Sequence, residues 1–395
     1  MSSPKLRFKE FSGNWNKNVI GSVISNKSKK FDPTKSKEDY PCIELEHLSQ
    51  QTGYISGYCS AKEQKSIKNY FDERAVLFGK LRPYLKKYAL PNFKGVCSSE
   101  IWVLSSKILS PEYLFQYIQT KSFLELALIQ SGSKMPRAEW DVIADGDIYF
   151  PNDTEQTKIA NFLTTVDKKI SQLNEQHQLM IQYKKGVMQK IFSQEIRFKD
   201  DNGEDFGEWE EKLLGDIVTF SRGKGISKSD ITKNGKNPCI RYGELYTKYG
   251  VVIDEINSFT DLKLKDCVLS KANQVIIPAS GETKIDIATA SCVLVDNVIL
   301  GGDINILTSN ENGIFLANYL NFSKRMEISQ LAQGISVIHL YAKQLANLSI
   351  KLPCVKEQDK IAKFLRVLDN KIESLALQLE LTKTWKKGLL QRMFV

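Results

Sequence analysis

The nine residues from Glu155 to Leu163, EQTKIANFL, return at Glu357 to Leu365 as EQDKIAKFL, 202 positions later and with two substitutions. A chain that writes one segment twice folds as two copies of one unit, and that limits its architecture more than any compositional figure does. Setting residue n against n+202 matches Pro151–Phe192 to Pro353–Phe394 without a gap, with 19 identities in 42 positions. The frame runs back through Gly132 on Gly334, Tyr117 on Tyr319 and Leu114 on Leu316. A second frame lays PCIELEHLSQQTG (from Pro41) over PCIRYGELYTKYG (from Pro238), and Trp15 and Gly21 match Trp209 and Gly215. Each unit is therefore a variable globular part of the chain followed by a better matched segment.

The matched segments read as long helices. Ile361, Leu365, Leu368, Ile372, Leu375 and Leu379 step by four and three, the spacing of a coiled-coil seam, and Ile159, Leu163, Val166, Ile170 and Leu173 repeat it before His177 takes the place of Leu379. Pro151 and Pro353 precede the helices, and an acidic residue stands in each first turn. From Glu155 to Phe192 such a helix is ~57 Å long at ~1.5 Å per residue. It cannot cover its own seam, so the other copy, packed antiparallel, is the simplest partner. His177 reads as a tolerated, partly exposed seam residue.

The variable parts mix strands and helices. RAVLFGK, SSEIWVLSS, NQVIIPASG and DNVILGGDINIL are short, rich in β-branched and aromatic residues, and bounded by turn formers, so they read as strands. Residues 115–129 and 315–331 read as amphipathic helices. The polar stretch SQEIRFKDDNGEDFGEW joins the copies, and its RFKD echoes RFKE at Arg7–Glu10, so the arrangement is circular in kind. The expected fold is α/β: two α/β domains in a pseudo-two-fold tandem repeat, separated by two long antiparallel coiled-coil helices. The expected boundaries are 1–150 and 197–350 for the domains, and 151–196 and 351–395 for the helices.

The charge excess of nine is local: residues 77–94 carry five basic residues and no acid, and residues 221–248 carry seven basic and two acidic. Two basic patches suggest a polyanion. In the Pro-Cys-Ile frame, Glu44 and His47 stand opposite Arg241 and Glu244, beside Tyr242, as mismatched polar tips on a matched scaffold. Glu can accept from a cytosine amino group and Arg can bind guanine bidentately. Lys80, Arg82, Lys86 and Lys87 surround Pro83 and Tyr84, and Arg222, Lys224 and Lys228 lie on a glycine-rich turn, so both stretches suit phosphate or groove contacts. Lys134 and Arg137 in SGSKMPR, and Lys284 in SGETK, are further candidates, although solvated loops look much the same. Seven cysteines without a C-x-x-C pair, and three histidines, point to reduced thiols rather than a zinc site or disulfide frame. No apolar run approaches a membrane span and no secretory leader is visible, which places the chain in the cytoplasm.

A variable domain, the EQxxIAxFLxxxDxxI segment, a second variable domain and the segment again together resemble the specificity subunits of type I restriction-modification enzymes over essentially the whole chain. The resemblance implies two target-recognition domains, each reading one half of a split duplex DNA site. It also implies helices that space the domains and bind two modification (methyltransferase) subunits, with restriction (nuclease-translocase) subunits joining. No cofactor is then expected in this chain; S-adenosylmethionine, ATP and Mg belong to the partners.

Enzyme readings are weaker. Asn237-Pro-Cys-Ile lacks the second proline and the aromatic of the adenine-methyltransferase element, and no Gly-rich cofactor loop follows a strand. The Glu-x-Lys triplets at Glu63 and Glu282 are expected by chance in so Lys- and Glu-rich a chain, and GKGISKS does not match a P-loop. A structural scaffold without DNA binding is the remaining alternative.

Overall fold

The computed structural model describes residues 3–131, 135–334 and 337–395. The chain divides into two compact units: residues 1–177 with 374–395, and residues 178–373. Each unit thus holds one globular domain, the first half of the helix that follows it, and the last part of the other long helix. The units exchange helix ends, so the division between them falls inside the helices. The two helices run Asp153–Phe192 and Val355–Met393.

Within the first unit, strand Asn16–Val19 pairs antiparallel with Asp147–Phe150, which sets the domain's entry beside its exit; Glu210–Leu213 pairs with Ser349–Leu352 in the second. A short helical turn follows each first strand. There Gly21 faces Ala144 and Gly215 faces Ala346, and a Cβ on either glycine would lie 2.8 or 2.9 Å from the alanine Cβ, too close for any side chain. Among the described residues a four-stranded sheet, a five-stranded sheet and a two-stranded ribbon complete each domain. In the first unit Ile101–Ser106 pairs with Val76–Gly79, and Pro41–Ile43 lies parallel to Gly95–Cys97. In the second, Ile304–Thr308 pairs with Gln274–Pro278, and Asn237–Ile240 lies parallel to Ile299–Leu300. The Pro-Cys-Ile frame seen in the sequence is therefore the same strand in the same pairing.

Three expectations need correction. Residues 115–129 form two helices, Pro111–Tyr117 and Lys121–Leu128, because the Thr120 hydroxyl accepts from Phe123 N and caps a new start. Residues 315–331 likewise split into Gly313–Ser323 and Arg325–Leu331. DNVILGGDINIL is two strands, Ile299–Leu300 and Ile304–Thr308, broken at Gly301-Gly302. The cysteines are all free; Cys354 is exposed, so not every thiol is a core residue.

The repeated Glu-Gln pair has a structural task. Glu155 and Glu357 are buried, and each takes two hydrogen bonds of 2.8 Å from an arginine of the RFK stretch, Arg7 or Arg197. A buried carboxylate needs such a partner. The neighbouring glutamines, Gln156 and Gln358, bond Pro151 O and Pro353 O through their amide nitrogens and accept from Ser110 N and Asn312 N. They tie each helix start to its domain. Beyond them Ile159 and Leu163, and in the other unit Ile361 and Leu365, enter the hydrophobic core. Leu6 N donates to Arg392 O as Ile196 N donates to Lys190 O, so the stretch before each domain sits on a helix end in the same way. The seam residue His177 is half-buried.

Candidate nucleic-acid interface

In the first unit the turn after the Pro-Cys-Ile strand is held from within. Glu44 N donates to His47 Nδ1 at 3.0 Å, and the Glu44 carboxylate takes 2.6 Å from Nζ of the buried Lys68. Lys87 Nζ donates to Leu45 O at 2.5 Å, and Gln51 N donates to Lys86 O at 3.0 Å. A third segment closes on the same loops: Ala138 N donates to Lys80 O and Arg82 N to Pro136 O, while Arg137 pairs with Glu100 at 3.0 Å. The structure therefore brings together Glu44, His47, Lys80, Arg82, Lys86, Lys87 and Arg137 from three separate stretches. Lys134 lies outside the described residues. Glu44, His47, Lys87 and Arg137 spend polar atoms on the fold. Among the described residues, the side chains of Lys80, Arg82 and Lys86 have no hydrogen-bond or ion-pair partner and are the cationic ends left for a ligand.

The second unit builds a related junction. Arg241 N donates to Glu244 Oε2 at 2.9 Å, so the residue after the strand is fixed by the side chain three positions on, as Glu44 N is by His47. The tips that differ between the copies thus serve the same local task with different chemistry. Glu244 is buried. Burial pushes its carboxyl up, but hydrogen bonds from Lys248 Nζ, Ser258 Oγ and Arg241 N outweigh this and leave it below the ordinary range. The Arg241 guanidinium lies 3.8 Å from Glu244, and its buried Nε has no partner among the described residues. Gly301 N donates to Ile240 O, and Gly223 N and Lys224 N donate to Ile304 O and Leu300 O. A Cβ on Gly223 would lie 2.0 Å from Gly301 O, which explains the glycine-rich turn. Arg222 pairs with Asp303 at 2.6 Å, whereas Lys224 and Lys228 are exposed. Tyr242 packs half-buried against the small core around Ile240. Lys284 is exposed on a short helix, and burial, followed by Tyr242, Glu282 and Asp286, raises the nearby Tyr246 phenol.

A family model described as "Type I restriction modification DNA specificity domain" matches residues 13–182 and 207–383. The chain belongs to that family. The MjaVIII specificity subunit of Methanocaldococcus jannaschii, a type I restriction enzyme, is 28% identical over 318 residues, covering 75% of this chain and 73% of that one. The MjaIX specificity subunit of the same organism is 25% identical over 298 residues, with 71% and 68% covered. The crystal structure of the type I restriction-modification S subunit from M. genitalium shares the fold, with a TM-score of 0.63 at 18% identity over 100% of this chain and 99% of that one.

Two features of this specificity chain escaped the sequence. Lys27, Lys29 and Lys30 follow strand Ile24–Ser25, which pairs with Ile101–Ser106 as Thr219–Arg222 pairs with Ile304–Thr308. They stand where the second domain has Arg222 to Lys228, and Lys27 and Lys29 line a cavity of about 340 Å³ with Arg74, Asp72 and Glu73. The signal that could have found them is the run NKSKK from Asn26 to Lys30. The second feature is aromatic: Tyr54, Tyr58 and Tyr84 are exposed. The methyltransferase-like Asn237 is committed to the fold, its Nδ2 donating to Leu262 O at 2.8 Å.

Proposed function

We propose that the two domains read the two halves of a bipartite, asymmetric duplex DNA site, each through the loops that gather around its Pro-Cys-Ile strand. Membership of the family makes the chain a DNA-recognition subunit of a type I restriction-modification system, with catalysis in partner subunits. The observation that carries the division of labour is the repeat: the two units keep their scaffold contacts while the loop tips change, His47 against Glu244 and Arg137 against His339. Different readers on equal scaffolds suit different half-sites.

The long helices set the spacing between the half-sites and carry two modification subunits. Leu179 and Tyr183 in one copy, and Leu381 and Trp385 in the other, are exposed at matching positions and lie one helical turn apart. Three residues further on stand Gly186 and Gly388, around which a Cβ would meet no described atom within 4 Å. A mid-helix glycine costs about 1 kcal/mol relative to alanine. Keeping it twice, beside an exposed apolar stripe, favours close approach of the same partner at both places. S-adenosylmethionine, ATP and Mg are assigned to the modification and restriction partners, and the complex to the cytoplasm, where the DNA is. No helix among the described residues is long and apolar enough to cross a membrane.

The test is methylation mapping of DNA exposed to the chain with its modification subunits and S-adenosylmethionine. One bipartite motif should be modified, and exchanging residues 1–150 for a relative's domain should change one half only. Methyl transfer by the isolated chain, or simultaneous change of both halves, refutes the reading.

A further inference from the structure

The first domain holds three residues in the left-handed region at one spot. Eight non-glycine residues have positive φ among the described residues, and three of those eight are Asn273, Asn297 and Asp303, types that tolerate it. Of the other five, Gln51, Arg82 and Lys86, with φ of 60°, 54° and 50°, meet in a single loop pair, where Gln51 N donates to Lys86 O at 3.0 Å. Arg82 and Lys86 bracket the tight turn Pro83–Leu85. Pro83 is buried and Arg82 N is bonded to Pro136 O, so the turn is anchored on both sides. Between the anchors Tyr84 is 49% exposed, with no ring or hydrogen-bond partner among the described residues. The anchors hold the turn in this unfavourable conformation, and the exposed Tyr84 ring adds nothing to the packing. Such strain gathers where side chains must be presented rigidly. Among the described residues the second domain has no such turn at this place: Gln274–Pro278 is followed by Ser280–Gly281, paired with Ile338–His339.

We propose that Arg82-Pro-Tyr-Leu-Lys86 is a preorganised reading finger, in which Arg82 and the ring of Tyr84 determine base preference in one half-site and Lys86 binds phosphate. The inference rests on the DNA-reading function proposed above and assigns its specificity to named atoms. A guanidinium carried on a fixed backbone can take the guanine edge bidentately, an aromatic face beside it suits a thymine methyl or an adjacent base plane, and an ammonium on the flank neutralises backbone charge. Fixing the backbone beforehand removes the ordering cost from binding. Because the finger exists in one domain only, it separates the two half-sites.

The experiment uses the complex of this chain with its modification subunits, S-adenosylmethionine and duplexes randomised across both half-sites. Arg82→Ala and Tyr84→Ala should each flatten the preference at one or two base positions of a single half-site by roughly tenfold, with the other half-site and the melting temperature unchanged. Tyr84→Phe should keep the preference. Lys86→Ala should lower methylation of all sequences together and reduce its salt dependence. If the unaltered complex modifies no bipartite site, the DNA-reading function fails and the finger with it. If it does, and Arg82→Ala and Tyr84→Ala keep every base preference, the finger alone is wrong. A Phe variant that loses the preference as the Ala variant does overturns the ring contact.

Discussion

Lys386 Nζ lies 2.5 Å from Asp167 Oδ1, and Lys184 Nζ lies 2.5 Å from Asp369 Oδ1. The n+202 repeat that relates Glu155 to Glu357 relates these two pairs as well, with donor and acceptor exchanged between the helices. In each unit the ion pair joins the first half of one long helix to the last part of the other, and the partners run antiparallel: from Lys184 onward to Ile191, the facing residues go back from Asp369 towards Ile361. In the first unit the pair reaches into the domain, since Gln119 Oε1 also accepts from Lys386 and Gln116 Nε2 donates to Asp167 Oδ2.

Breaking the first pair should loosen that unit. Burial lowers the Lys386 ammonium below its ordinary value although Asp167 pulls it back up, so the charge is held in place by its partner. Asp167→Asn removes the partner and should cost about 3 kcal/mol, the lower end for a buried pair, because Asp167 keeps a quarter of its surface exposed. Replacing both residues, Asp167→Leu with Lys386→Met, should recover most of that loss. Chemical denaturation followed by Trp fluorescence checks both, and an additive double variant would show that the pair is not coupled.

Glu244 gives a pH signature. Its carboxyl is depressed in the fold, so its contribution is fully present above the ordinary value of 4.5 and is lost as pH falls through the folded value. Glu244→Gln should therefore be less stable than the native chain at pH 7, by about 1–3 kcal/mol for a buried group that loses charge-assisted bonds. The gap should close as pH falls below 4.5. A gap that widens on acidification reverses the sign and removes the carboxylate from its assigned role.

The two mid-helix glycines separate stability from assembly. Gly186→Ala and Gly388→Ala should each stabilise the free chain by up to ~1 kcal/mol, since no described atom lies in the way of a methyl and alanine favours a helix. Gly186→Phe should fold equally well and fail to bind a modification subunit at that position. Native mass spectrometry of the mixture counts the subunits bound; two per Gly186→Phe chain would move the docking surface elsewhere.

Much of this architecture was written in the sequence, because packing leaves a period and a repeat leaves a register. The seam from Ile361 to Leu379 and the equivalence of the two Pro-Cys-Ile frames are legible for that reason, whereas the strand that each frame forms is not. The breaks at Thr120 and Lys324 were not, since an apolar stripe continues across a recapped helix. The antiparallel packing follows from the seam, but the ion pairs within it do not, because Asp167 and Lys386 look like solvated charges until the fold joins them. Within the candidate interface, sequence could nominate Lys87 and Arg222 but not show that Leu45 O and Asp303 already engage them.

That distinction orders the second domain's cations. Lys224 is exposed and without an ion-pair partner among the described residues, so Lys224→Ala should weaken DNA binding by the whole complex without regard to sequence, lowering the slope of log affinity against log salt by about 0.9. Arg222 must first leave Asp303, so Arg222→Ala should cost less than Lys224→Ala, and Asp303→Asn should tighten non-specific binding by freeing it. Arg241 differs again: its backbone N holds the turn and remains after Arg241→Ala, so the fold should persist while one base position relaxes by about 1–3 kcal/mol. Fluorescence anisotropy across a salt series measures all four on matched and scrambled duplexes. A salt slope that changes for Arg241→Ala but not for Lys224→Ala would show that the phosphate contact and the base contact have been assigned to the wrong residues.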